Sequence, residues 1–314
     1  MNMKKKSFIL SVILFLTGCN GLWFDSSEEN VVFEDNLFEA YCVHNFDKNK
    51  NGKISLSEAR AVSTINITGD SKYLAISSLG GIEHFVNLTR LYVGANLTRL
   101  DISNNTALIE FSLSSSQLTS IDVSKNTALK VLWCGYNQLE TLDLSKNTAL
   151  TELLCDNNQL ETLDLSNNTL LAHLSCSFNR LHTLNISGCT ELERVYCSCN
   201  YITSLDVRKS SSLRDLVCIS NRLTTLDVTN NKELTYLSCL DNQLTTLNLS
   251  NNTVLESLDC YSNQLSTLDV SNNPELSYLA CHDNPYLTEI WLKSGQTIKE
   301  FLYDLGTATI KYKD

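Results

Sequence analysis

The sequence predicts a solenoid of parallel β-strands behind a small helical N-terminal cap, and three observations predict it. One pattern of apolar residues and asparagines returns every 21 residues over about two-thirds of the 314-residue chain. Only two prolines and eleven glycines punctuate it, too few for the varied turns and linkers of an ordinary two-domain protein. Eight of the twelve cysteines stand at a single phase of the repeat, which turns a count that otherwise suggests a disulfide scaffold or a metal protein into a feature of one core column. Charge narrows the partners: 24 basic against 35 acidic residues, net −11, leave no basic surface for phosphates, so nucleic acid is excluded.

The chain opens with an address. Lys4, Lys5 and Lys6 precede an apolar run at 8–16 that is too short to cross a bilayer as a helix, so residues 1–18 read as a signal peptide. The run ends in Leu16-Thr17-Gly18-Cys19, which resembles the lipobox of bacterial lipoproteins. That resemblance implies that Cys19 is acylated, becomes the mature N-terminus and anchors the protein to a membrane without spanning it. Losing the three lysines makes the mature chain three charges more acidic. Residues 19–32, including Asp25, Glu28 and Glu29, are polar enough to stay extended as an acidic tether. Acidic residues after the lipidated cysteine also resemble the export signal of Bacteroidota lipoproteins, which implies the outer membrane or the cell surface.

Residues 33–64 form the cap. Phe33, Leu37, Phe38, Tyr41 and Cys42 recur at helical spacing, and a loop from Asp47 to Glu58 follows, with a second helix starting at Ser57. The loop places oxygen-bearing side chains at its positions 1, 3, 5 and 9 (Asp47, Asn49, Asn51, Ser55), glycine at 6 (Gly52), an aliphatic at 8 (Ile54) and glutamate at 12 (Glu58). It resembles an EF-hand. The resemblance implies a Ca²⁺ site in which Asp47, Asn49, Asn51 and Ser55 offer side-chain oxygens, Lys53 its carbonyl and Glu58 two oxygens. Calcium is a hard ion that takes six to eight oxygens, and only two of the ligands here are carboxylates, so the expected affinity is weak, about 10⁻⁴–10⁻³ M. EF-hands normally pair, and no second loop is visible.

From residue 65 to 292 the chain is repetitive. Starting at Leu129 it reads Leu-x-x-Leu-x-Cys-x-x-Asn-x-Leu-x-x-Leu-Asp-Leu-Ser-x-Asn-x-x, and Leu150, Leu171, Leu192, Leu213, Leu234, Leu255 and Leu276 open later units, with earlier ones at Leu88 and Leu108. This resembles the leucine-rich repeat family. Each unit says nearly the same thing twice, at half-periods of 10 and 11 residues, so a parallel strand can form on both flanks of the coil. Matched flanks should bend the solenoid less than a strand opposed to a helix. Ten rungs at about 4.8 Å give a stack about 48 Å long. Cys134, Cys155, Cys176, Cys197, Cys218, Cys239, Cys260 and Cys281 occupy the inward position that the second half fills with Leu, Val or Ile, and are expected to be buried and reduced. Two asparagine columns, one through Asn137 and Asn158 and the other through Asn126 and Asn147, can satisfy backbone groups inside the turns. Residues 293–314, with a strand near 309–312, should cap the far end.

The repeats show where architecture leaves freedom. The second half is monotonous, with an outward column of Asp101, Asp122, Asp143, Asp164, Asp206, Asp227 and Asp269 whose stacked charges repel unless cations or hydroxyls offset them. Outward positions of the first half are apolar and aromatic: Tyr92, Val131, Trp133, Leu154, His173, Tyr196, Val217, Tyr236 and Tyr278, with Tyr136, Phe178 and Tyr261 just beyond. Exposed aromatics of this kind mark recognition surfaces. The expected function is a lipid-anchored binding protein, a monomer, that presents this face to a protein or glycan. A surface spacer or adhesion protein without a specific ligand is the alternative. Histidines 44, 84, 173, 182 and 282 are scattered, with no nucleophile elbow or phosphate loop, so an enzyme is not expected. Some bacterial leucine-rich repeat proteins are ubiquitin ligases with a separate catalytic domain bearing a cysteine, and residues 293–314 contain none.

Overall fold

In most first-half strands, such as 131–133, 152–154 and 215–217, a central leucine turns inward and its two neighbours turn outward, which is the period of two that a half-buried strand requires. In the computed structural model, which describes residues 29–304 and 307–314, these strands hydrogen-bond in parallel from rung to rung in a single twelve-stranded sheet. Its register is strict: Leu132 lies opposite Leu153, Leu174 opposite Val195, and Leu216 opposite Leu237. The chain is thus a parallel β-solenoid with a small helical N-terminal segment. The signal peptide, Cys19 and most of the tether lie outside the described residues, and no helix among those described is long and apolar enough to cross a membrane.

The sheet is longer at both ends than the repeat signature. Thr64–Ile67 pairs with Arg90–Val93 as the first strand, and Glu300–Leu302 pairs with Tyr278–Ala280 as the last. Residues 293–314 therefore add a coil to the stack instead of lying across its end. The strand Thr309–Lys313 extends the second flank by pairing with Glu289–Lys293, and Phe301, Tyr303 and Ile310 stay only partly buried.

The second flank differs from the expectation of matched sheets. Among the described residues its ladder exists only in two pieces, Thr162–Asp164 with Thr183–Asn185, and Thr267–Asp269 with the strands 289–293 and 309–313. In both pieces an outward aspartate faces a group that is not a carboxylate. Asp164 accepts a bond from the Asn185 amide at 2.9 Å, and Asp269 stands opposite Trp291 and accepts from Lys313. No ladder joins the rungs of Asp101, Asp122 and Asp143, where like charges stack.

Each rung also turns through a left-handed residue two positions after its cysteine or equivalent. Ser115, Tyr136, Asn157, Phe178, Cys199, Ser220, Asp241, Ser262 and Asp283 all have φ between 50° and 60°. None is glycine, so the rung geometry is imposed by its neighbours against a local steric cost. Beside this turn the first asparagine column is fully bonded. Asn158 donates from Nδ2 to the carbonyls of Cys155 (3.1 Å), Asp156 (3.3 Å) and, one rung back, Cys134 (3.0 Å), while its Oδ1 accepts from the Leu139 amide at 3.0 Å.

At the N-terminus α1 (Asn36–Phe46) is capped by Asp35, whose carboxylate accepts from the amides of Leu37 and Phe38. Tyr41 closes the sheet edge: its hydroxyl donates to the Asn66 carbonyl at 2.9 Å and accepts from the Asn66 amide at 3.0 Å. The short α2 (Leu56–Arg60) follows the loop, capped by Ser55 in a capping box with Glu58. The tether ends earlier than its composition suggests. The Val31 amide donates to the Ile54 carbonyl at 2.8 Å and the Leu56 amide to Glu29 at 2.9 Å, and Val31 is buried.

Candidate binding face and calcium loop

The outer face of the long sheet holds Tyr92, Val131, Trp133, Leu154, His173, Tyr196, Val217, Tyr236 and Tyr278, all half-buried on adjacent rungs. Tyr136 and Phe178 lie beyond it, on the left-handed turn, and are 62% and 57% exposed. Tyr261 stacks on His282 with ring centroids 4.3 Å apart. These twelve positions therefore fall on two adjoining surfaces, the sheet face and the turn edge.

Carboxylates hold the aromatic rings. Trp133 Nε1 donates to Glu152 Oε1 at 2.7 Å, the Tyr92 hydroxyl donates to Glu110, and the Tyr196 hydroxyl reaches Asp215 at 3.4 Å. Asp259 sits among tyrosines: burial pushes its carboxyl up, and burial with the charge of Asp259 pushes the Tyr278 phenol up to about 12. His173 lies between Glu152 and Glu193, at 3.7 and 3.8 Å. These acids belong to the face, and reading the aromatics alone misses them. The signal was available in the repeat, because each acid occupies an outward position of the rung beside its aromatic partner. The face can offer apolar area, fixed ring edges and carboxylate acceptors to a partner.

On the opposite flank the aspartate column has a structural use. Asp122, Asp143 and Asp164 each accept from the amide of the serine two residues later, at 2.8, 2.9 and 2.9 Å. Those serine bonds hold the Asp122 and Asp143 carboxyls below their ordinary value, and the Arg208 guanidinium takes Asp206 down to about 2. Backbone amides, with the hydroxyls of Thr229 and Ser271, thus offset the stacked charge.

All eight column cysteines are buried free thiols, and burial raises their pKa, to about 12 for Cys134, Cys197, Cys239 and Cys281. Such thiols stay protonated and act as small apolar groups. Cys42 is buried in α1, and Cys189 takes an asparagine position in which its Sγ donates to the Leu165 carbonyl at 3.3 Å. Cys199 alone among the described cysteines is half-exposed.

In the calcium loop the oxygen-bearing side chains fold onto the loop's own amides. Asp47 accepts from Lys50 (2.7 Å) and Gly52 (2.8 Å), Asn49 from Asn51 (2.9 Å), and Asn51 from Lys53 (2.9 Å). Glu58 accepts from Lys48 through one oxygen and from the Ser55 amide and hydroxyl through the other. Burial pushes its carboxyl up, but these bonds outweigh that effect and hold it below its ordinary value. Gly52 has the left-handed φ of 79° that the turn needs, with nothing near its Cα to compete for space. Asp47, Asn49, Asn51, Lys53, Ser55 and Glu58 therefore share one loop, its side-chain oxygens turned onto its own backbone amides. Clusters of three or more His, Cys, Asp or Glu suited to a metal are absent among the described residues.

No protein-family model matches the chain, and no curated protein does. Solved structures do resemble it. The functional domain of InlJ from Listeria monocytogenes, described as including a cysteine ladder, is 30% identical with a TM-score of 0.71, over 88% of this chain and 70% of that one. The internalin inlF of the same organism is 19% identical with a TM-score of 0.63, over 93% and 99%. A leucine-rich repeat protein of Leptospira interrogans is 21% identical with a TM-score of 0.59, over 75% and 71%.

Proposed function

Because this chain belongs to the leucine-rich repeat family, we propose that it is a lipid-anchored binding protein, held by Cys19 at the outer membrane or cell surface. It presents the outer face of its long sheet to a protein ligand, a glycan being the second possible ligand. The observation that carries this reading is the row of half-buried rings, Trp133, Tyr196, Tyr236 and Tyr278, on one continuous sheet with their polar edges bonded or close to acids of neighbouring rungs. Rings fixed in this way lose little conformational freedom on binding, which is the property of interface anchors. The similar solved structures include internalins and receptor ectodomains and favour a non-catalytic scaffold.

The calcium loop stands beside the tether. Asp47, Asn49, Asn51, Ser55 and Glu58 would hold the ion through side chains and Lys53 through its carbonyl, and the ion would neutralise the two carboxylates and stiffen the junction between anchor and solenoid.

Affinity capture of proteins and glycans with the soluble ectodomain tests the binding role. Replacing Trp133, Tyr196 and Tyr236 together by alanine should abolish capture of the retained partner while the melting temperature changes little, because none of the three is fully buried. Capture that survives the triple change rules out the sheet face. An ectodomain that retains nothing specific supports the spacer alternative.

A further inference from the structure

We infer that the turn edge around Tyr201 is a docking site for an acidic peptide segment of a partner protein, separate from the sheet face. The internal repeats make the case. At the position following the first asparagine column, or Ser116 in the rung before it, Gln117, Gln138, Gln159, Gln243 and Gln264 recur, but three consecutive rungs between them carry Arg180, Tyr201 and Arg222. The backbone does not demand this change. Every one of these residues donates its amide to a carbonyl of the preceding rung, at 2.9 Å for Gln159, Arg180, Arg222 and Gln243 and 2.8 Å for Tyr201. The side chain is free to vary, and it varies in one block.

The block is preorganised and unpaired. Arg222 lies over the Tyr201 ring from the following rung, 4.7 Å from its centroid, and His182 packs on it from the preceding rung at 5.4 Å. Among the described residues neither Arg180 nor Arg222 makes a salt bridge, whereas Arg90 and Arg194 on the sheet face are paired with Glu110 and Asp215. The nearby acids Glu161 and Asp241 form no ion pair with either arginine. Phe178, 57% exposed and two residues before Arg180, adds an apolar neighbour.

Charge and shape select the partner. Two free guanidinium forks, two rungs or roughly 10 Å apart, match carboxylates bidentately. They are unpaired cations on a chain of net charge −11, so the group that complements them is a carboxylate. A sugar would need an open ring face on which to stack, and Tyr201 has neighbours packed on it from both rungs. Its phenol edge and the guanidinium groups are better placed for the side-chain carboxylates and backbone carbonyls of a peptide.

The test is fluorescence anisotropy with the intact ectodomain and a labelled peptide of alternating glutamate and serine. The peptide should bind, and more weakly as ionic strength rises. Arg180→Gln and Arg222→Gln should each weaken binding about tenfold. The triple change Arg180→Gln, Tyr201→Gln, Arg222→Gln restores the residue native to the other rungs, so it should remove binding without lowering the melting temperature. Trp133→Ala should leave the peptide bound, which keeps this edge distinct from the sheet face. Peptide binding that is absent at millimolar concentration, or that survives the triple change, overturns the proposal. So does arginine-dependent binding of polygalacturonate with none of the peptide.

Discussion

Aspartate recurs on the second flank because a short carboxylate can accept from an amide two residues ahead and so close the turn that ends each half-coil. The same bonds set a pH dependence. A carboxyl whose folded pKa lies below its unfolded value contributes stability that is complete above the unfolded value and is lost as pH falls through the folded one. Asp101, Asp122, Asp143 and Asp227 are all lowered from 3.8, mainly by the serine or threonine two residues on, and Asp206 reaches about 2. The melting temperature should therefore decline as pH is taken from near 3.8 towards 2. Asn185 and Asn248 already close the same turn with an amide oxygen, at 3.1 Å in both cases. The variant Asp101→Asn, Asp122→Asn, Asp143→Asn should hold its stability at neutral pH and show a shallower acid decline. An unchanged decline in thermal melts would show that these carboxylates do not set it. Asparagine is used differently in its two columns. Asn158 satisfies both ends of its amide, whereas Asn147 donates twice, to Val123 at 3.0 Å and Asn126 at 2.9 Å, and its Oδ1 has no partner among the described residues.

At the scale of elements, the cap shows how the loop from Asp47 to Glu58 is supported. Where a second loop would pair, the segment Glu29 to Val31 does so: the Val31 amide donates to the Ile54 carbonyl and the Glu29 carbonyl accepts from the Leu56 amide. With that edge covered, the full chain should bind calcium with a Kd of about 10⁻⁴–10⁻³ M in calorimetry. Glu58→Gln should abolish the heat, since it removes half of the loop's ligand charge. No heat at millimolar calcium in the parent chain would dismiss the site. The turn of this loop was legible in the sequence because Gly52 and the capping pair Ser55 and Glu58 stand at fixed spacing in one short segment. The pairing of Val31 was not, because backbone bonds between segments leave no mark on side-chain identity. The same reason hid two strands of the sheet: Thr64–Ile67 and Glu300–Leu302 carry the alternation of a strand without the leucine and asparagine signature of the repeat. The second flank is paired only at 162–164 with 183–185 and at 267–269 with the two strands after it, an interruption that the uniform repeat pattern does not show. The aromatic face was readable from one column, while its acids became visible only when neighbouring rungs were set side by side.

At the scale of the whole molecule, a stack in which each rung touches only its neighbours opens from whichever end is held least. The two ends are unequal. The first strand is covered by α1 and by the two bonds of Tyr41, whereas the last strand, Glu300–Leu302, pairs on one side only, with Phe301, Tyr303 and Ile310 partly exposed around it. The cysteine column provides a reporter in nearly every rung. In the native protein one described thiol, Cys199, should react readily with a small aromatic disulfide, because the other ten are buried. In mild denaturant, alkylation followed by peptide mass mapping should then find Cys281 modified first, Cys260 next, and Cys134 and Cys155 last, as the stack frays inward from its open end. Simultaneous modification of the whole column would mean that the solenoid opens as one cooperative unit. Modification of Cys134 ahead of Cys281 would show that the helical segment does not stabilise the end it covers.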